Sequence, residues 1–131
     1  MTNTIGYSKE LLASKLQEFF GYKEFRPGQL EVIESILNKR HVLSVMPTGQ
    51  GKSLCFQLPA IISKSKTVVV APLISLMNDQ ASSLVAVGIK CETIHSDKDR
   101  DENILAWKNF SIGSSKILYI SPERLTTNRM L

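Results

Sequence analysis

Four short β-prone runs alternate with helix-sized segments along this chain, and that alternation limits the folds open to it more than any other feature. The runs are His41 to Met46, Thr67 to Ala71, Lys90 to Ile94 and Lys116 to Ile120, with segments of about 52–63, 73–87 and 99–110 between them. Strands joined through helices require right-handed crossovers, so the expected product is a mostly parallel sheet with helices on both faces, an α/β fold. The unbroken Val68-Val69-Val70 suits a strand buried on both sides. A length of 131 residues fits one domain with a real core.

Two helices are predicted ahead of the first β-prone run. Ser8 stands where an N-cap belongs, Leu12, Leu16 and Phe19/Phe20 follow at helical spacing, and Gly21 marks a C-cap, giving a helix over about 9–20. Pro27 suits the first turn of the second, whose Leu30, Ile33 and Ile36/Leu37 form one face before Asn38 to Arg40 end it. Further on, Pro59 should kink or end the 52–63 helix, and Gly88 is a C-cap for the 73–87 helix.

Charge and cysteine usage exclude more than they assign. The net charge of +4 and pI near 9.2 permit a polyanionic partner, but the excess is modest and spread out. Lys64, Lys66 and Lys108 read as solvated surface. Cys55 and Cys91 lack a CxxC pair or nearby histidines, so they read as small core residues and not as a zinc or disulfide framework. No apolar run approaches the length of a membrane span and residues 1–8 lack a secretory pattern, so a cytosolic (or, in a eukaryote, nuclear) protein with no membrane partner is expected.

Directly after the first β-prone run comes Met46-Pro47-Thr48-Gly49-Gln50-Gly51-Lys52-Ser53, and a helix begins at its end. Backbone N–H groups of Gly49 to Ser53 can wrap a phosphate only where no Cβ obstructs the approach, while the helix N-terminus adds partial positive charge. Lys52 then reaches the β- and γ-phosphates, and the Ser53 hydroxyl ligates the Mg2+ that bridges them. The strict motif wants glycine at the position of Met46; the shorter core G-x-G-K-[ST] arises by chance in roughly 0.5% of chains this long, which favours a phosphate loop over an idle turn.

Four segments together resemble the RecQ family of superfamily 2 helicases: FGYKEFRPGQ (20–29), MPTGQGKSLCFQLPA (46–60), VVVAPLISLMNDQ (68–80) and ILYISPERL (117–125). Their order and spacing match from about Leu11 onward. The resemblance implies a P-loop NTPase (RecA-like) three-layer lobe, here truncated, with residues 1–131 as the N-terminal portion of motor lobe 1 and 1–40 as a helical lead-in bearing the adenine motif. In the resembled family, Tyr22 and Arg26 sandwich the purine and Gln29 hydrogen-bonds its edge, a role that a stacking ring, a planar guanidinium and an amide can fill. Thr48, Gly49, Gln50, Gly51, Lys52, Ser53 and Leu54 complete the ATP contacts, with Lys52 and Ser53 nearest the chemistry. Gln50 replaces a glycine frequent at that variable loop position.

The resemblance also implies a single-stranded DNA partner. Pro72, Ser75, Leu76 and Gln80 match a first motif that grips the phosphodiester backbone, and Pro122, Glu123 and Arg124 a second, as a motor indifferent to sequence needs. Read without the resemblance, Leu76 is core, Asp79 a solvated helix residue, and Pro122 the start of an ordinary helix. His41, His95 and Trp107 are expected to be ordinary loop, core-edge or surface residues.

A P-loop motor further needs a carboxylate for Mg2+, a group orienting the attacking water and an arginine finger. None is assignable within these residues; the family's DEAH-type sequence, second lobe and accessory regions are expected to be absent from the chain. The expectation is therefore a 3′-to-5′ helicase motor fragment that binds ATP and Mg2+ without hydrolysing ATP alone. The competing expectation is a non-enzymatic P-loop module for nucleotide sensing or protein interaction. A small P-loop kinase is disfavoured, since no lid or acceptor sequence is visible.

Overall fold

The computed structural model describes residues 7–46 and 51–126. These fall into two compact units, one up to Lys64 and one from Ser65.

The first unit is helical: α1 (Lys9–Phe20), α2 (Gln29–Leu37) and α3 (Lys52–Ile62). The Ser8 hydroxyl accepts from the Leu11 N–H to start α1, and Gly21, left-handed at φ +77°, ends it. Leu12, Leu16, Ile33, Leu37, Leu54 and Leu58 bury one shared core, flanked by Phe20, Phe25, Leu30 and Ile62. Full burial of each such side chain contributes about 1.5–3 kcal/mol. The Tyr7 hydroxyl donates to the Ile62 carbonyl at 3.4 Å, tying the segment before α1 to the end of α3.

Three expectations for this unit are corrected. Pro27 does not open α2; Gly28, at φ +86°, is the N-cap and the helix starts at Gln29. Of the kink or end expected at Pro59, the end is what is corrected: Pro59 lies buried within the closing turn of α3, and the helix runs on to Ile62. The Ser63 N–H donates to the Pro59 carbonyl at 2.9 Å, so the ring deletes one donor near the helix end without breaking the ladder beyond it. Residues 41–46 form no strand: a β-run becomes a strand only with a ladder partner, none of the described residues pairs with it, and Leu43 and Val45 are almost fully exposed.

The second unit contains β1 (Thr67–Val70), α4 (Ile74–Ala86), β2 (Cys91–Ile94), α5 (Arg100–Ser111), β3 (Ile117–Ile120) and the short α6 (Pro122–Leu125). The sheet is wholly parallel with order β1-β3-β2, and Val68 pairs with Leu118 as Glu92 does from the other side. Going from β1 to β2 crosses the sheet one way and from β2 to β3 the other, so right-handed crossovers place α4 and α5 on opposite faces. Leu118, Ile120 and Ile94 pack under Ala106 and Phe110 of α5, while Ile117 and Tyr119 of the central strand are buried on the other face.

β1 departs from expectation. Val68 and Val70 are each 48% exposed, and their burial alternates along an edge strand instead of being complete. Their register puts them on the face of Leu118 and Ile120, where α5 spans β2 and β3. Caps set the helix ends: Asp99 and Glu102 form a reciprocal capping box at the start of α5, and Gly88, at φ +93°, follows α4. Lys66 is exposed as expected, yet its Nζ donates to the Ser111 carbonyl at 2.7 Å and lies 5.5 Å from the Phe110 ring centre, closing the end of α5. Cys55 is buried and Cys91 only half-buried; both are free thiols.

Candidate functional site

Gly51 and Lys52 form the junction on which phosphate binding would rest. Gly51 is the N-cap of α3 in the left-handed region, φ +75° and ψ +39°, and offers no cap side chain to the first-turn N–H groups. Lys52 is exposed on that turn, Ser53 is half-buried and Leu54 is buried in the core. Such a bare helix start, led by a glycine and followed by a lysine, fits an anionic group. Thr48, Gly49 and Gln50 lie outside the described residues.

Gln29 meets this junction from α2. It is only 2% exposed. Its Nε2 donates to the Gly51 carbonyl at 3.2 Å, and its Oε1 accepts from the Arg26 N–H at 2.8 Å. One buried amide thus joins the segment expected to grip adenine to the loop expected to grip phosphate. A Cβ built on Gly51 would lie 2.4 Å from Gln29 Nε2, so any other residue there would displace this amide besides straining the backbone at φ +75°. Tyr22, 55% exposed, and Arg26, also exposed, stand free of the core on the preceding segment.

A cavity of about 270 Å³ in the same unit is lined by Val32, Ile36, Val42, Ser44, Lys52, Cys55 and Phe56. Four of these seven walls are hydrocarbon or aromatic, and burial raises the Cys55 thiol above its ordinary value. The cavity suits apolar packing and not a triphosphate, which belongs at the helix start.

The two blocks expected to meet DNA lie together in the second unit. β1 and β3 are parallel neighbours, the Ala71 N–H donates to the Ile120 carbonyl at 3.0 Å, and Pro72 and Pro122 therefore leave the same carboxyl edge of the sheet. Open α/β sheets bind ligands at that edge. Pro72, Ser75 and Leu76 are exposed, Gln80 and Arg124 half-buried, and Pro122 and Glu123 exposed. Leu76 is thus not core, and Asp79 is exposed as a solvated helix residue should be.

Two features of this edge escaped sequence reasoning. Ser121 is fully buried and its hydroxyl has no hydrogen-bond partner among the described residues. Its place between a strand and Pro122 was a signal for an N-cap, but the hydroxyl does not cap. His95 is buried beside Asn103: its N–H donates to Asn103 Oδ1 at 3.3 Å, Asn103 Nδ2 donates back to the His95 carbonyl at 3.0 Å, and His95 Nδ1 accepts from the Asp97 N–H at 3.2 Å. Burial first, and the Lys98 ammonium second, pull the imidazole below its ordinary value of 6.5.

Comparison with a solved structure bears on the fold. The chain superposes on the crystal structure of a DUF1998 helicase, MrfA, bound to DNA, with a TM-score of 0.68 over 87% of this chain and 17% of that one at 22% identity, so the two share an α/β fold. A family model for DEAD/DEAH box helicases matches residues 26–130, and the chain belongs to that family.

Within the family the chain is similar to RecQ helicases, in keeping with the four sequence blocks. It is 43% identical over 120 residues to the ATP-dependent DNA helicase RecQ of Haemophilus influenzae, covering 92% of this chain and 19% of that protein. Identity to RecQ of Bacillus subtilis is 42%, over 87% of this chain and 20% of the relative. For the ATP-dependent helicase SGS1 of Saccharomyces cerevisiae it is 39%, over 95% of this chain and 9% of the relative. The chain spans about a fifth of the length of the bacterial relatives it matches.

Proposed function

We propose that this chain is the nucleotide-binding and single-stranded-DNA-tracking portion of the first motor lobe of an ATP-dependent 3′-to-5′ DNA helicase. Residues 1–40 serve as its helical lead-in. The observation that carries the reading is the buried Gln29 amide, which holds Arg26 and Gly51 at once and so couples base recognition to the phosphate loop.

In this reading Tyr22 and Arg26 stack on the purine, Gln29 pairs with its edge, and Thr48 to Leu54 wrap the phosphates with Lys52 on the β- and γ-groups. Mg2+ bound with the nucleotide neutralises phosphate charge, and the Ser53 hydroxyl is the group of this chain that holds it. Pro72, Ser75, Leu76, Gln80, Pro122, Glu123 and Arg124 hold the strand through its backbone, which gives weak binding without base preference that falls with added salt. Lys52 and Ser53 position the ground state only. The 131 residues therefore bind ATP without turning it over, because stabilising the transferring phosphoryl group calls for arginines and carboxylates beyond this set.

Calorimetric titration with ATP and GTP tests the assignment. Gln29→Ala should weaken ATP about tenfold, through loss of the paired base edge, and GTP only about two- to threefold, through a looser Gly51. Lys52→Ala should weaken both alike. Equal losses for the two nucleotides in Gln29→Ala would overturn the role of Gln29 and the reading built on it.

A further inference from the structure

The outer face of α5 is apolar. Ile104 is 50% exposed, Leu105 57%, Trp107 41% and Ile112 69%. At 3.6 residues per turn, Asp101, Ile104, Leu105, Lys108 and Ile112 fall within a sector of about 100°, and Trp107 flanks it by roughly 60° more. The inward face is a separate stripe of Asn103, Ala106 and Phe110. The exposed stripe, four apolar side chains with one acid and one base among them, is therefore surplus to the core of this unit, and exposed apolar side chains grouped in this way mark an interaction surface.

The charges on the stripe say what fits it. Asp101 lies in the first turn of α5 and Lys108 in its last. Neither makes an ion pair among the described residues. Seven residues of helix separate them by about 10 Å, too far for a pair within one helix. Glu102, by contrast, is spent in the capping box, where its carboxylate accepts from the Asp99 N–H at 3.2 Å. An acid at one end, a base at the other and hydrocarbon between make a pattern complementary to its own reverse.

We propose that α5 docks against α5 of a second copy of this chain, antiparallel about a two-fold axis passing between residues 104 and 105. In that register Asp101 faces Lys108 of the other copy, twice by symmetry. Ile104 faces Leu105, and Trp107 covers the rim beside the capped Glu102. Self-complementarity is the condition a two-fold interface imposes. The helices approach to about 8–10 Å, and a single helix face from each copy makes a small interface, so the dimer is weak and transient.

Sedimentation equilibrium of the chain from about 10 μM to 1 mM at moderate salt tests this, as expected for an interface in the transient class. The chain should move from monomer to dimer across that range. Leu105→Glu should abolish the shift while leaving the circular dichroism melt unchanged, because the side chain is outside the core. Asp101→Lys and Lys108→Asp should each raise the dissociation constant about three- to tenfold, and the double exchange should restore it. A monomer throughout the range, association undiminished by Leu105→Glu, or two charge variants whose defects simply add would each overturn the proposal.

Discussion

Replacing Gly51 by alanine probes the contact between α2 and the start of α3 from both sides. Alanine at φ +75° costs about 1 kcal/mol of backbone strain. Its Cβ also meets Gln29 Nε2 at 2.4 Å, so the amide must leave, giving up its bonds to the Gly51 carbonyl and the Arg26 N–H. Gln29 is only 2% exposed, so its displaced amide is the group left unsatisfied, at a cost of about 1–3 kcal/mol, whereas the Arg26 N–H and the Gly51 carbonyl lie on exposed and half-buried residues. Lower entropy of the unfolded chain returns about 0.4–1 kcal/mol. The net loss should be about 1–4 kcal/mol, read as a fall in the urea midpoint by circular dichroism. In a Gln29→Ala background the clash has no partner, and Gly51→Ala should cost less than about 1 kcal/mol, the strain less the same entropy return. If Gly51→Ala costs the same in both backgrounds, the packing of Gln29 is not what requires glycine at 51.

Ser121→Ala should raise stability by about 1 kcal/mol, because it removes a buried hydroxyl that lacks a partner among the described residues; a lower urea midpoint would show that the hydroxyl is satisfied after all. His95 sets a pH dependence. Its folded pKa lies below the ordinary 6.5, so below pH 6.5 the unfolded chain takes up a proton that the fold resists. Its contribution is full above about pH 6.5 and is lost as pH falls toward the folded pKa. Denaturation at pH 7.5 and 5.5 should show a steeper acid loss for wild type than for His95→Gln, and equal losses would refute the assignment.

The sequence carried the helices well because their signals are local. Ser8, Gly21 and Gly88 mark ends through their own hydroxyl or their own freedom at positive φ, and no distant residue has to agree. The runs at 67–70, 91–94 and 117–120 became strands because they found one another. Residues 41–46 have the same local character and form no strand, since pairing is a property of two segments. Val68-Val69-Val70 misled for a related reason: hydrophobicity reports what a side chain prefers, whereas burial depends on which strand position the chain supplies. The Gln29 bridge spans 22 residues and depends on how α2 packs on α3. A motif could place Gln29 in a nucleotide site, but only the fold shows it gripping the loop.

The strand order β1-β3-β2 also sets a timetable. β3 is the last of the described strands and lies in the middle of the sheet, and β1 and β2 do not pair with each other. At a synthesis rate of roughly 5–20 residues per second, the approximately 50 residues between β1 and β3 take about 2–10 s to be made. Throughout that interval Val68, Val69 and Val70 have no ladder neighbour, and neither crossover helix has a completed sheet to cover. The unit cannot close progressively from its N-terminus; it waits for Ile117 to Ile120 and then assembles around them at once. A ribosome-associated chaperone that shields three consecutive valines would act in that window, and slow codons placed between β2 and β3 would lengthen the exposure without changing one residue of the folded protein.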